Sequence, residues 1–421
     1  MRFQAPRGTE DVVPNESRTW VWLEQTFREL CHRYGYSEVR TPTFEDTGLF
    51  TRGLGEGTDI VNKEMYTFVD RGGRSITLKP EGTAPAIRAY VEHSLGSQGQ
   101  ITKLFYVTPI FRYERPQKGR LREAHQTGLE LIGAQTPESD AEVIEMSVRF
   151  YEMLGLRNLA ARINSLGSNE SRKTYREALL EHARPLLADL PTEFRERCEK
   201  NPLRILDSKD ETLRERLTDA PVILNYLDDE SRRHFEAIQG CLSALDIPYV
   251  VDPRIVRGLD YYTGCVFEIH AEGIGAQSAL CGGGRYDGLI EEIGGPPTPA
   301  VGVAMGIERA LLALEVSGAA PAFEPLLHLF AVCLTERHAE FCKIVSQLRG
   351  QGIRVDTDLQ FRSAKSQFRQ ADKSGASLAL AIGDDELDSG TFKLKRLADG
   401  AEFTSTADTL YEDTLAYVSR S

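Results

Sequence analysis

Several short runs in this sequence carry residue types suited to holding an anion or a small polar ligand. The first is Phe111-Arg112-Tyr113-Glu114-Arg115-Pro116-Gln117-Lys118-Gly119-Arg120-Leu121-Arg122. It reads as a strand ending in Arg and Glu, then a basic loop, then a second strand. The planar fork of arginine donates two hydrogen bonds to one anion, so phosphate is the natural ligand of such a mouth. A solvated basic hairpin fits the same residues. The second run is His125-Gln126-Thr127-Gly128-Leu129-Glu130. Strand side chains alternate with period two, which puts Gln126, Gly128 and Glu130 on one face. Gly128 then leaves a gap between two polar groups, as if room were kept for a small ligand. An inward Glu130 carboxylate wants a partner, because burying it alone is costly; an edge strand facing water would need none.

Two glycine-dense segments follow, Arg257-Gly258-Leu259-Asp260-Tyr261-Tyr262-Thr263-Gly264 and Cys281-Gly282-Gly283-Gly284-Arg285-Tyr286-Asp287-Gly288. Such glycines permit close backbone approach to a ligand or mark tight turns. Their spacing matches neither a dinucleotide fingerprint nor a P-loop. In Ala300 to Leu312 an apolar strand passes into a helix with Arg309 in its first turn, where helix dipole and guanidinium both attract phosphate. A core strand and helix with one surface arginine is the alternative.

The elements that must position these residues are legible in part. Arg18 to Tyr34 has helical spacing, with Trp22, Phe27 and Leu30 among its apolar positions and Gly35 as its stop. Ser37 to Pro42 reads as a strand, and Ser75 to Leu78 as another leading into the Lys79-Pro80-Glu81-Gly82-Thr83 turn. Leu104 to Glu114 and Gly128 to Ile132 suit core strands. From Asn169 to Gln239 charged helical text dominates, and sheet-like text returns from Tyr249 to Gly306. Ser317 to Ala322 is the best linker. Beyond it, strands such as Leu327 to Cys333 alternate with helices such as Arg337 to Gly350, as in a small α/β domain. The divisions expected are 1–168 and 240–318 for a core, 169–239 for a helical insertion, and 325–421 for the last domain.

At 421 residues the chain is too long for one ordinary core. Its composition, 41% hydrophobic and 27% charged, excludes a disordered chain. No apolar run approaches the roughly 20 residues of a membrane span, and no signal peptide opens the chain, so a cytoplasmic protein is expected. The seven cysteines form no CxxC pair, which suits reduced thiols and argues against a structural metal site. A net charge of −13 argues against a general nucleic-acid coat, although local patches still permit an RNA partner.

Taken in order, these runs resemble the signature motifs of class II aminoacyl-tRNA synthetases. Motif one is the helix and strand ending at Pro42, motif two the hairpin around Arg112, and motif three the segment closing on Arg309. Arg257 to Gly264 and Gly282 to Gly288 resemble the segments peculiar to the histidyl-tRNA synthetase family. Arg7-Gly8, Gly53 to Asp59 and Pro80-Glu81-Gly82-Thr83 also match its text, and the resemblance covers essentially the whole chain. It implies an α+β fold: an antiparallel sheet flanked by helices, a helical insertion, and a C-terminal α/β anticodon-binding domain, in a homodimer.

The resemblance further implies activation of L-histidine with ATP and transfer to tRNA(His), with Mg²⁺ accompanying ATP and no protein metal site. Arg112 and Arg257 would be catalytic, Arg257 touching both the α-phosphate and the histidine carboxylate. ATP would lie on Arg112, Glu114 and Arg309. Glu81, Thr83 and Gln126 would hold the ammonium group, and Glu130 and Tyr262 opposite ends of the imidazole, with Tyr261 beside them. Arg115, Gln117, Lys118 and Arg120 would meet the tRNA acceptor end, and Arg362, Lys365 and Gln367 lie where the last domain could meet RNA. Two positions depart from the family: Ala124 stands where an aromatic ring usually stacks on adenine, and Lys79 where arginine is common. A histidine-sensing regulatory subunit is the chief rival reading. The set Arg112, Arg257 and Arg309 and the last domain weigh against it, and Arg257 to Gly264 weighs against another class II specificity.

Overall fold

The first helix, α1 (Pro14–Arg33), shows how the apolar spacing is spent. It starts on a proline, whose missing N–H costs nothing there, carries Glu16 in its first turn, and has His32 and Arg33 in its last. Leu23, Phe27 and Leu30 form its buried stripe, and Gly35 follows with φ of 78°. The structure, a computed structural model, describes residues 3–55, 58–97, 99, 101–187, 195, 198, 202–206, 217, 219–255, 259, 261–272 and 279–418. Residues Met1–Ala320 and Pro321–Ser421 make two units.

In the first unit the strands are β1 (Ser37–Glu38), β2 (Phe44–Asp46), β3 (Tyr66–Val69), β4 (Ser75–Leu78), β5 (Thr102–Phe111) and β6 (Glu123–Ile132). They are followed by β7 (Leu159–Ser165), β8 (Tyr249–Val251), β9 (Thr263–Ala271), β10 (Ala279–Arg285) and β11 (Ala300–Gly306). The central sheet runs β1-β5-β6-β11-β10-β9-β7-β8. It is antiparallel from β5 to β7, with a parallel strand at each edge. A small antiparallel sheet, β2-β4-β3, stands apart.

Alternation on the central strands divides two cores. On one face Phe105, Leu129, Leu131, Phe267, Val301 and Val303 pack with α1, with α4 (Pro137–Met153), and with the helices Asp229–Ala244 and Ile307–Ser317. On the other, Leu104, Ile132, Tyr261, Tyr262 and Tyr286 pack with α2 (Thr47–Leu54) and α3 (Thr83–Glu92). Both α5 (Asn169–Leu187) and α6 (Asp229–Ala244) come from the charged helical text. The first buries Tyr175 and Leu179, and the second places Phe235, Ile238 and Leu242 in the main core. A short helix, α7 (Leu289–Glu292), precedes β11, and α8 (Ile307–Ser317) ends at Gly318 in the left-handed region. Among the described residues, no helix is long and apolar enough to cross a membrane.

Strand lengths differ from those expected. The pairing of β1 stops at Glu38 with one further bond, Val39 N–H to Phe105 O at 2.8 Å, well before Pro42. β5 stops at Phe111, because Arg112 turns into a loop closed by its N–H on Arg122 O at 2.9 Å. β6 begins at Glu123, five residues before Gly128, since the antiparallel partner β5 is long enough to pair with all of it.

The second unit has its own sheet, ordered β13 (Val355–Thr357), β12 (Leu329–Cys333), β14 (Leu378–Ile382), β15 (Thr391–Arg396) and β16 (Glu402–Thr406). The first three strands are parallel and the last two join antiparallel. Buried Phe341, Val345 and Leu348 of the helix His338–Gly350 cover it.

Candidate active site

β6 lies between β5 and β11, so its inward face is shielded on both sides. Glu130 is fully buried there. The Tyr106 hydroxyl donates to its Oε1 at 3.1 Å and the Tyr286 hydroxyl makes a short bond to its Oε2. Burial pushes the Glu130 pKa up to about 8, against the hydroxyl donors of Tyr286, Thr83 and Tyr106; the charge of Glu81 adds to the rise. The partner that a buried carboxylate requires is therefore a pair of phenols. Opposite Glu130 in β11 is Gly302, where a Cβ would run into Glu130 Oε2.

Gly128 does not leave room for a ligand, as its sequence setting suggested. Tyr106 is its cross-strand partner, and the Tyr106 ring fills the space a Cβ would need. Neither Tyr106 nor Tyr286 was singled out from sequence. Tyr286 stood inside a glycine-dense run already noted, but Tyr106 becomes visible only with the β5–β6 register.

The neighbouring turn brings a second carboxyl. Glu81 is 3% exposed, and its oxygens accept the N–H groups of Thr83 at 2.9 Å and Ala84 at 2.7 Å at the start of α3. Burial raises its pKa, opposed by those N–H donors and the charge of Arg112. Thr83 Oγ1 lies 3.4 Å from the Tyr106 hydroxyl, so Thr83, whose N–H bonds Glu81, connects through that phenol to Glu130. The Tyr261 ring centroid is 5.6 Å from that of Tyr286 and 4.7 Å from that of Tyr262. Arg172 of α5 donates to the Tyr262 carbonyl at 2.7 Å, so the charged helical segment holds this wall in place. On β6, Gln126 Oε1 is buried and has no hydrogen-bond partner among the described residues. An acceptor left so costs free energy until a donor arrives.

Two of the expected arginines are held by carbonyls. Arg112 Nε donates to Pro80 O at 2.7 Å, which sets the guanidinium against the turn that carries Glu81. Arg309 Nη1 donates to Ala279 O at 3.0 Å. Glu114 follows Arg112, and its Oε2 is 4.0 Å from Arg120. The loop beyond is closed by Gln117 and Arg120, which exchange backbone bonds of 3.0 and 2.8 Å. Arg115 is carried on this loop, and exposed Lys118 reaches Glu315 at 3.1 Å. Arg257 lies outside the described residues, as do Gly258 and Asp260.

The two departures are placed as follows. Ala124 shares the face of Gln126 and Glu130 and pairs with Ile110. Lys79 is 1% exposed and donates to Thr41 O and Oγ1, each at 3.2 Å. Burial lowers its pKa to about 8, partly countered by Glu45, with Arg88 adding to the fall. In the second unit Gln367 is 1% exposed, and its amide bonds Cys333 N–H and O, both at 2.8 Å. That side chain braces the domain and does not face outward. Arg362 pairs with Asp358 at 2.8 Å, and Lys365 is exposed.

A family model described as histidyl-tRNA synthetase matches residues 8–310, and one described as anticodon binding domain matches residues 329–413. The chain is 51% identical to the histidine–tRNA ligase of Caldanaerobacter subterraneus over 403 residues, covering 96% of this chain and 97% of that one. It is 50% identical to the same-named protein of Geobacillus thermodenitrificans over 406 residues, covering 96% and 95%. Among solved structures, apo histidyl-tRNA synthetase of S. aureus superposes with a TM-score of 0.84 at 39% identity, covering 98% of this chain and all of that one. The chain belongs to the histidyl-tRNA synthetase family.

Proposed function

We propose that the pocket bounded by Glu81, Thr83, Gln126, Glu130, Tyr261 and Tyr262 receives L-histidine, in an enzyme that is an aminoacyl-tRNA ligase. The reaction joins histidine to ATP as histidyl-adenylate with release of pyrophosphate, then transfers histidine to the 3′ end of tRNA(His). The observation that carries the pocket assignment is Glu130, buried between two tyrosine hydroxyls on a face where Gln126 presents an acceptor that has no partner among the described residues. An imidazole has two nitrogens to satisfy. Glu130 takes one and Tyr262 the other, while Tyr261 walls the ring. A carboxyl with a pKa of about 8 keeps a proton that it can share with imidazole, so the pair needs no outside counter-charge. Glu81, Thr83 and Gln126 accept the ammonium group.

ATP lies between Arg112 and Arg309, with Glu114 at its side. The histidine carboxylate oxygen attacks the α-phosphorus and the bond to pyrophosphate breaks. Arg112, with Arg257, neutralises charge on the α-phosphate, and Arg309 meets the γ-phosphate. In the second step a terminal hydroxyl of tRNA attacks the histidyl carbonyl and AMP leaves. Arg115, Gln117, Lys118 and Arg120 guide that end of the tRNA.

Mg²⁺ accompanies ATP in this reading. The phosphate oxygens would hold it more than the protein does, with Glu64, whose carboxyl feels the charges of Arg112 and Glu114, as an oxygen donor nearby. Bound there, the ion would neutralise phosphate charge. Two copies of the chain associate as a homodimer in the cytoplasm, and the divisions 1–168, 169–239, 240–318 and 325–421 belong to the same reading. Charging of tRNA(His) with labelled histidine tests it: acid-stable incorporation supports it, whereas a folded protein that binds histidine and transfers none would fit a regulatory subunit.

A further inference from the structure

The pairing of β6 with β11 ends at Gln126 and Gly306. Immediately beyond, β11 turns into α8 at Ile307, so no strand remains to accept the N–H of His125 on that side. The Glu308 side chain takes the place of the missing strand. Its Oε1 accepts the His125 N–H at 2.9 Å, its Oε2 lies 3.1 Å from the same nitrogen, and Oε1 is 2.9 Å from His125 Nδ1. The pair is mostly sheltered, the Glu308 side chain being 14% exposed, and the Trp20 ring meets the His125 ring edge-on at 4.9 Å. Burial acts to lower the His125 pKa, but the hydrogen bond and charge of Glu308 outweigh it and leave it raised.

Glu308 precedes Arg309 in the first turn of α8, and His125 precedes Gln126 in β6. One carboxylate thus ties the helix that carries a phosphate-binding arginine to the strand that carries the amino-acid pocket. From this geometry we infer that Glu308 is a positioning residue: it fixes the first turn of α8 against β6, and so sets where Arg309 stands relative to ATP. This rests on the reading that Arg309 binds ATP. The His125 ring, which Glu308 and Trp20 contact, lies on the face of β6 opposite Gln126, and Glu308 touches no substrate in that reading. Its effect is therefore expected on ATP and not on histidine.

The test is steady-state ATP–pyrophosphate exchange by the full-length enzyme, with KM measured separately for ATP and histidine. Glu308→Ala is expected to raise KM for ATP by about tenfold to a hundredfold, the usual consequence of misplacing a binding group by about 1 Å. KM for histidine should stay within about twofold. Glu308→Gln, which keeps an oxygen for the His125 N–H, should recover most of the loss. Adding Glu308→Ala to Arg309→Ala should raise KM for ATP no further. If Glu308→Ala does not fold, Glu308→Asp carries the same expectation, because it keeps the charge but draws the acceptor back. Equal changes in both KM values, or none in either, while Arg309→Ala raises KM for ATP, would overturn the positioning role alone. An Arg309→Ala enzyme with unchanged KM for ATP would overturn the ATP assignment and this role with it.

Discussion

Glu130→Gln separates stability from function at the buried carboxyl. The side chain is fully buried, with tyrosine hydroxyls on both oxygens, and its pKa moves from the usual 4.5 to about 8. The folded state therefore binds this proton more tightly than the unfolded chain does. Stability from this group is complete below pH 4.5 and is lost as pH rises toward 8. At about 1.4 kcal/mol per pH unit the loss reaches about 5 kcal/mol above pH 8. Glutamine keeps the shape and an acceptor oxygen but never ionises. Urea unfolding of the ligand-free enzyme and the variant at pH 5, 7 and 9 measures the effect. The variant should gain little at pH 5, about 3 kcal/mol at pH 7 and about 5 at pH 9, while losing histidine activation. A stability difference that stays constant from pH 5 to pH 9 would refute the claim that burial raises the Glu130 pKa.

Three other substitutions probe the same pocket. Gln126→Met removes an acceptor that has no partner among the described residues, so unfolding free energy should hold or rise. KM for histidine should increase about 10- to 100-fold, for a charged hydrogen bond of about 1.5–3 kcal/mol; an unchanged KM would take Gln126 out of the pocket. Gly128→Ala drives a Cβ into the Tyr106 ring and should destabilise the fold by about 1–3 kcal/mol in thermal or urea unfolding. It should also weaken histidine binding as Tyr106 leaves Glu130, and an unaltered melting curve would contradict the packing described. Ala124→Phe restores a ring on the face of Gln126, and stacking worth about 1–3 kcal/mol should lower KM for ATP about fivefold or more without moving KM for histidine.

Period and composition made much of this legible. Helical spacing that includes Phe27 and Leu30 marked α1, although Leu23 and not the half-buried Trp22 completes its buried stripe, and alternation in β6 put Gln126, Gly128 and Glu130 on one face before any strand was paired. What sequence concealed depended on register. Gly128 looked like an opening because nothing in its own strand reveals that Tyr106, on the preceding strand, lies opposite it. The phenols on Glu130 come from β5 and from just past β10, and the Glu308 contact with His125 requires knowing where β11 ends. Gln367 misled for the opposite reason: a polar residue amid basic text suggests an exposed contact, while its amide completes the backbone bonding of Cys333 inside the domain.

Histidine-dependent ATP–pyrophosphate exchange by the purified protein, with the other amino acids as controls, tests the central claim most directly. Exchange should occur with histidine and with no other amino acid, and should fall at least about a hundredfold in Arg112→Ala. Exchange supported by a different amino acid, or none from a folded protein that still binds histidine and ATP, would contradict the assignment.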